Sequence, residues 1–308
     1  MQRREFIRKA GLATGALATL GPALADARPR EQRLTILHTN DMHSRIEPFP
    51  SDGRRWEGLG GMARRLTLIE RIRSQEEHVL LLDAGDIWQG TPYFNFFNGE
   101  LEFTLMSRMR YDAATLGNHD FDIGLEGLAA QLPNASFPFL TANYDFSDTI
   151  LKGKFPPYKV FQKGGIRVGV FGLGIQLKGL VADALFAQTR YLDPVAVARE
   201  MVQELRSQGC HLIICLSHLG LEYESTKISD MRLASQVEGI DLIIGGHTHS
   251  FLEEPRRVVN PAGQEVLINQ VGWSGVYLGR LDYRFDGRGR TTDISWQTMP
   301  IDRSLQLS

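Results

Sequence analysis

The chain has 308 residues, 43% of them hydrophobic and 23% charged, with a formal net charge of -2. That length and composition allow one large or two ordinary soluble domains. So small a net charge excludes the strong field that gathers a nucleic-acid polymer, while small phosphorylated molecules remain open as substrates.

The first twenty-five residues stand apart from the rest. Arg3, Arg4, Arg8 and Lys9 make a basic start, Gly11 to Leu24 is mildly apolar, and Ala23-Leu24-Ala25 is a small-residue cleavage site. That order reads as a signal peptide, and the arginine pair points to twin-arginine export, hence a periplasmic destination. The route carries folded proteins, so a metal could be inserted before crossing. Removing this segment's net +3 leaves -5 on residues 26–308, which read as a single domain. No later stretch approaches the eighteen or so uninterrupted apolar residues of a membrane span.

Residues 26–32 form a polar lead-in to a strand at 33–38. Pro48 to Gly61 carries Pro, Gly and Arg without periodicity and reads as an exposed loop. Met62 to Ser74 alternates Arg64, Arg65, Glu70 and Arg71 with Leu66, Leu68, Ile69 and Ile72, the pattern of an amphipathic helix. A strand follows at 78–83, then a helix over Glu100–Arg110 with Phe103, Leu105, Met106 and Met109 on its core side. A third strand ends at Leu116 and leads to a helix at 124–131.

Phe139–Ala142 reads as a strand, and 158–161 with 166–171 as a hairpin about Lys163-Gly164-Gly165. Asp193-Pro194 starts a helix that runs to about Ser207. Strand 211–216, a helix near 226–237 and strand 241–244 complete the alternating part. Strands at 255–259, 265–270, 275–285 and 291–298 follow, with Asn260-Pro261-Ala262-Gly263 and Asp286-Gly287 as turns. Strands alternating with helices, then a β-rich end closing a second sheet, make this an α/β fold. Cys210 and Cys215 flank one strand, about 16 Å apart if extended. That is too far for a disulfide, which needs less than about 7 Å, so both read as buried free thiols.

Five apolar runs end in oxygen or imidazole ligands. Leu34–Leu37 leads to Asp41-Met42-His43, Val79–Leu82 to Gly85-Asp86, and Ala113–Leu116 to Gly117-Asn118-His119-Asp120-Phe121-Asp122. Leu212–Cys215 leads to Ser217-His218, and Leu242–Ile244 to Gly246-His247-Thr248-His249. In open α/β sheets ligands bind beyond the carboxyl ends of strands, so these residues would gather at one edge. Asp41-x-His43 and His247-x-His249 are i, i+2 pairs, which share a side in an extended segment. Asp86 is the natural bridge between two dications, which repel strongly unless an anion lies between them. Asn118 adds a neutral oxygen, and His218 completes a second centre. Imidazole and oxygen donors without thiolate suit Mn, Zn, Fe or Co. His38, His78 and His211 lie within or at the start of strands and read as structural.

These motifs resemble those of the calcineurin-like metallophosphoesterase superfamily. Leu82-Asp83-Ala84-Gly85-Asp86, Gln89-Gly90-Thr91-Pro92, Gly99-Glu100 and Phe121-Asp122-x-Gly124 are similar to the catalytic, N-terminal domain of the 5'-nucleotidase family. The likeness covers about residues 33–300 and implies a four-layer α/β/β/α sandwich. It implies Asp41, His43, Asp86 and His249 on one metal and Asp86, Asn118, His218 and His247 on the other. His119 would be the catalytic histidine, oriented by Asp122. Asp120 stands where the family usually has Glu, at a position that is not a ligand.

The implied reaction is in-line attack by metal-generated hydroxide on a phosphomonoester, such as a 5'-nucleotide. Related readings are a hydrolase of cyclic nucleotides, sugar nucleotides or a sulfate ester in sulfur oxidation. The family's C-terminal domain, which binds the nucleoside, is not matched, so a separately encoded chain is a further reading. Trp56, Trp88, Tyr93, Phe94, Phe96 and Phe97 are candidates to replace its stacking surface, or else core.

Overall fold

Runs such as Val79–Leu82 and Leu212–Leu216 lack polar alternation, as strands covered on both faces do. In a computed structural model that describes residues 31–305, both runs are buried strands. The strands are β1 (Gln32–Thr39), β2 (Val79–Asp83), β3 (Ala113–Ala114), β4 (Tyr144–Asp145), β5 (Tyr158–Lys163), β6 (Ile166–Leu173), β7 (Arg190–Tyr191), β8 (Leu212–Ser217), β9 (Leu242–Gly245), β10 (Arg256–Val259), β11 (Glu265–Asn269), β12 (Tyr277–Phe285) and β13 (Thr291–Pro300). The helices are α1 (Met62–Gln75), α2 (Pro92–Phe97), α3 (Glu100–Arg108), α4 (Gly124–Gln131), α5 (Asp183–Phe186), α6 (Pro194–Ser207) and α7 (Asp230–Gln236). The predicted signal peptide lies outside the described residues.

One sheet has the order β13-β12-β1-β2-β3 and the other β10-β11-β9-β8-β6-β5. Strands β1, β2 and β3 run parallel, as do β6, β8, β9 and β11, with antiparallel strands at the margins. Strand alternation then sorts the apolar side chains into three layers. Leu80 and Leu82 face the second sheet, packing with Ile214, Leu216 and Ile244 between the sheets. Leu81 faces outward, onto a core shared with Leu68 and Ile72 of α1 and Phe103 of α3. Ile213 and Cys215 face outward on the other side, towards Val202 and Leu205 of α6 and Leu233 of α7. The result is the expected α/β/β/α sandwich. Both cysteines are buried and free.

Several elements differ from the sequence reading, each for a local reason. Phe139–Ala142 makes one bridge, to Ala114, and no strand, because the Thr115 hydroxyl takes the Leu140 carbonyl at 2.9 Å. The helix expected from 226 begins at Asp230, where the Ser229 side chain accepts the Arg232 N–H. Helix α3 stops at Arg108 rather than Arg110, the latter having positive φ. Helices α2 and α5 and the β4–β7 pair were not foreseen; they are too short to show a period. Arg65, expected on the polar face of α1, is fully buried with its guanidinium on the Gly275 carbonyl, because the β11–β12 loop covers that part of the helix.

Leu80 is fully buried between the sheets, where truncation leaves a cavity that two rigid sheets cannot close. Leu80→Ala is expected to cost roughly 2–5 kcal/mol of stability, measured by denaturant unfolding.

Candidate metal centre

The seven proposed ligands follow β1, β2, β3, β8 and β9 in the chain. The first three strands are parallel neighbours in one sheet and the last two in the other. The ligands therefore gather at the shared edge of two stacked sheets, not at the edge of one. They form two clusters, Asp41 with His43 and His249, and Asp86 with His218 and His247.

The backbone at these positions is not extended. Asp41, His43, Asp86, His247 and His249 have φ of 49°, 47°, 53°, 71° and 50°. Non-glycine residues rarely adopt this left-handed region, at a cost of order 1 kcal/mol or more each. The sequence reading placed each i, i+2 pair on one side of an extended segment. Left-handed turns change that geometry, and His247 and His249 fall in different clusters, as the family resemblance implies.

Hydrogen bonds fix the imidazole tautomers. Nδ1 of His218 lies 2.7 Å from the Ala84 carbonyl, and Nδ1 of His43 lies 3.0 Å from that of Gln89. A carbonyl only accepts, so each Nδ1 carries the proton and each neutral ring turns a bare Nε2 inward. Nε2 of His218 faces Asp86 Oδ2 at 3.1 Å and Asp41 Oδ1 at 3.9 Å, is buried, and has no hydrogen-bond partner. A lone pair aimed at two carboxylates is repulsive unless a proton or a cation intervenes. Burial disfavours charge on the ring, but the neighbouring carboxylates more than reverse this and lift the His218 pKa to about 10. His247 moves the other way, to about 4, through burial and the nearby His218, which keeps it a neutral donor. Its Nδ1 lies 2.9 Å from Asn118 Oδ1. Converging carboxylate, amide and imidazole donors of this kind fit two divalent ions.

His119 stands at the rim with a side chain 39% exposed, its Nδ1 2.8 Å from Asp122 Oδ2. That hydrogen bond raises the His119 pKa against the opposing effect of burial. Asp122 gives no side-chain cap to α4. His38 is a core residue, bonded through Nε2 to Asn269 and pushed by burial to about 3. Trp88 and Phe94 are core, whereas Phe96 and Phe97 are exposed. Trp56 stacks on Phe251.

Three further residues organise the site. Asp120 accepts the backbone N–H groups of Asp86, Ile87, Trp88 and Gly117 at 2.8–3.2 Å, clamping the loops after β2 and β3 together. Its motif was legible, but a carboxylate that is no ligand left no signal of this role. Asn40 donates to Asp41 Oδ2 and to the Gly272 carbonyl, both at 2.6 Å. Gln270 donates to the Gly246 carbonyl at 2.7 Å and also accepts from the Ser250 N–H. Only the polar type of Asn40, next to a proposed ligand, could have singled it out, and nothing local to Gln270 did.

The sequence pattern of the calcineurin-like phosphoesterase family matches residues 34–251. A snake venom 5'-nucleotidase of Crotalus adamanteus is 36% identical over 292 residues, 88% of this chain and 48% of that protein. The Bos taurus 5'-nucleotidase is 36% identical over 96% of this chain and 52% of its own length. The crystal structure of a 5'-nucleotidase precursor from Thermus thermophilus aligns with TM-score 0.81 and 36% identity, over 89% of this chain and 55% of that one. The chain thus has the mixed α/β metallophosphoesterase fold and spans about half the length of the curated relatives it matches.

Asp120→Asn removes the charge and half the acceptor capacity facing four buried N–H groups. The variant is expected to lose thermal stability and bound divalent metal together, as measured by calorimetry and elemental analysis. Unchanged metal content would show that Asp120 does not hold Asp86 in place.

Proposed function

Because the chain belongs to the calcineurin-like phosphoesterase family, we propose that it is a dinuclear-metal hydrolase of phosphomonoesters, with 5'-nucleotides as its substrate class. The observation that carries this reading is the pair of donor clusters beside a half-buried His119–Asp122 dyad. The naming of its relatives as 5'-nucleotidases supports the substrate class. Residues 1–25 are proposed as a twin-arginine leader and residues 26–308 as one domain, exported to the periplasm. The basic, then apolar, then small-residue order supports the leader. Among the described residues no helix is long and apolar enough to cross a membrane.

Asp41, His43 and His249 would hold one ion and Asn118, His218 and His247 the other, with Asp86 shared between them. Two bound divalent ions (Mn, Zn, Fe or Co by the donor set) would supply positive charge to the phosphoryl group and lower the pKa of water. Asp86 suits the shared position, with Oδ2 3.1 Å from His218 Nε2 and 4.0 Å from His43 Nε2, and Oδ1 held by the His119 N–H at 2.8 Å. Asn118 contributes oxygen without charge, leaving the site net positive for a phosphate. Asp122 accepts from Nδ1 of His119 and so directs Nε2 at the substrate. A proton on that Nε2 stabilises charge on the phosphoryl and leaving oxygens as the P–O bond breaks. An alcohol and inorganic phosphate are the products.

Chelation is expected to abolish hydrolysis of a chromogenic phosphomonoester, and Mn or Zn to restore it. A panel of nucleotides, cyclic nucleotides and sugar nucleotides should then rank 5'-monophosphates first; a cyclic or sugar nucleotide at the head of the panel would overturn the substrate class. Asp86→Asn is expected to lose metal and rate together. His119→Ala should keep its metals while losing roughly 10²–10⁴ in kcat. Metal loss in the His119 variant would place that ring among the ligands instead.

A further inference from the structure

The four proposed imidazole ligands are not held alike. His43 and His218 each donate from Nδ1 to a backbone carbonyl, and Nδ1 of His247 lies 2.9 Å from Asn118 Oδ1, itself a proposed ligand of the same ion. Nε2 of His249 faces His43 Nε2 at 2.9 Å and Asp41 Oδ1 at 3.4 Å, and no hydrogen bond from its Nδ1 is found among the described residues. Its side chain is 38% exposed. What the ring has is an indole: Trp273 lies parallel to it, with centroids 5.7 Å apart and planes 6° apart.

Trp273 is fixed from both sides. Val271 N–H donates to Asn40 Oδ1 at 2.9 Å, Gly272 N–H to the Ser250 carbonyl at 2.9 Å, and Ser274 N–H to the Asp41 carbonyl at 2.7 Å. Phe49 meets the indole edge-on at 6.0 Å. The same short loop thus ties the backbones on either side of the cluster and carries the ring that covers His249.

We infer that Trp273 is the positioning residue for His249, and that the ion held by Asp41, His43 and His249 exchanges more readily than the one held by Asp86, His218 and His247. A stacked ring sets the tilt of an imidazole but leaves it free to turn in its own plane. A hydrogen bond to a backbone carbonyl fixes both. The inference rests on the proposed function only in taking both clusters to bind divalent ions.

Calorimetric titration of metal-free protein with Mn²⁺, followed by chelator competition, tests it without an activity readout. The wild type is expected to bind two equivalents of unequal affinity. Trp273→Leu should weaken the looser one by roughly 10–100-fold, the usual scale for losing an outer partner, and leave the tighter one within about threefold. Trp273→Phe keeps a stacking face and should stay close to wild type.

Equal weakening of both equivalents, no weakening in a folded Trp273→Leu protein, or a Phe variant as poor as Leu would overturn it. Should Trp273→Leu not fold, chelator competition on the wild type decides, since two indistinguishable equivalents contradict the inference. A protein that binds no ion would instead sink the metallohydrolase reading.

Discussion

Repulsion among electron pairs is the constraint on which this structure turns. Asp41, Asp86, Asn118 and the rings of four histidines converge on one small volume, and His218 Nε2 lies there buried without a hydrogen-bond donor. In a medium of low polarity such an arrangement costs several kcal/mol unless positive charge fills it. Protons would relieve it at some sites, as the raised His218 pKa indicates, but the ring of His247 resists protonation. Divalent cations relieve it at all of them at once. The rest of the chain holds these groups together against their mutual repulsion.

Two stacked sheets supply that rigidity, and the loops beyond them supply the aim. Left-handed residues let a loop turn back towards the neighbouring strand within two or three residues. Close approach then leaves no room for side chains at the intervening glycines. A Cβ on Gly85 would lie 2.5 Å from the Gly117 nitrogen, and one on Gly117 2.2 Å from Asp86 Oδ1. The backbone strain is offset by hydrogen bonds from residues that touch no proposed ion. Asp120 ties the β2 loop to the β3 loop, and Asn40 ties Asp41 to the β11–β12 loop. Gln270 spans Gly246 and Ser250, across the turn that carries His247 and His249. Each brace joins segments that follow different strands, so the aim of the loops depends on the sheets that bring those strands together.

This division explains what could be read from the sequence. Strands such as Val79–Asp83 and Leu212–Ser217 were legible because burial on both faces leaves uninterrupted apolar runs. Residues at their ends were legible because acids and imidazoles there have no structural reason to recur five times. The partition of His247 and His249 between clusters came from the family resemblance and not from the spacing i, i+2, because it follows from φ angles that the spacing does not encode. Asp120 was visible but its four backbone donors were not, since three of them belong to the loop after another strand. Trp273 and the burial of Arg65 depend on how the β11–β12 loop folds over β1 and α1, which no local pattern reports.

The eight histidines make the same point at the level of a single residue type. His38 sits inside β1 and packs against Asn269 of β11, and burial alone keeps it neutral. His211 precedes β8 and accepts the Arg167 N–H through Nδ1 at 3.0 Å. Both satisfy a ring nitrogen within the sheets, with neighbours that the sheet register supplies. His218 lies only a few residues beyond His211, past the end of the same strand. There the ladder no longer offers donors, and its Nε2 meets only carboxylates. A histidine inside a strand is answered by the sheet, whereas one just past the strand end meets whatever the other strand ends bring. Chemistry collects at that edge because backbone pairing, which satisfies the main-chain polar groups along the strands, stops there.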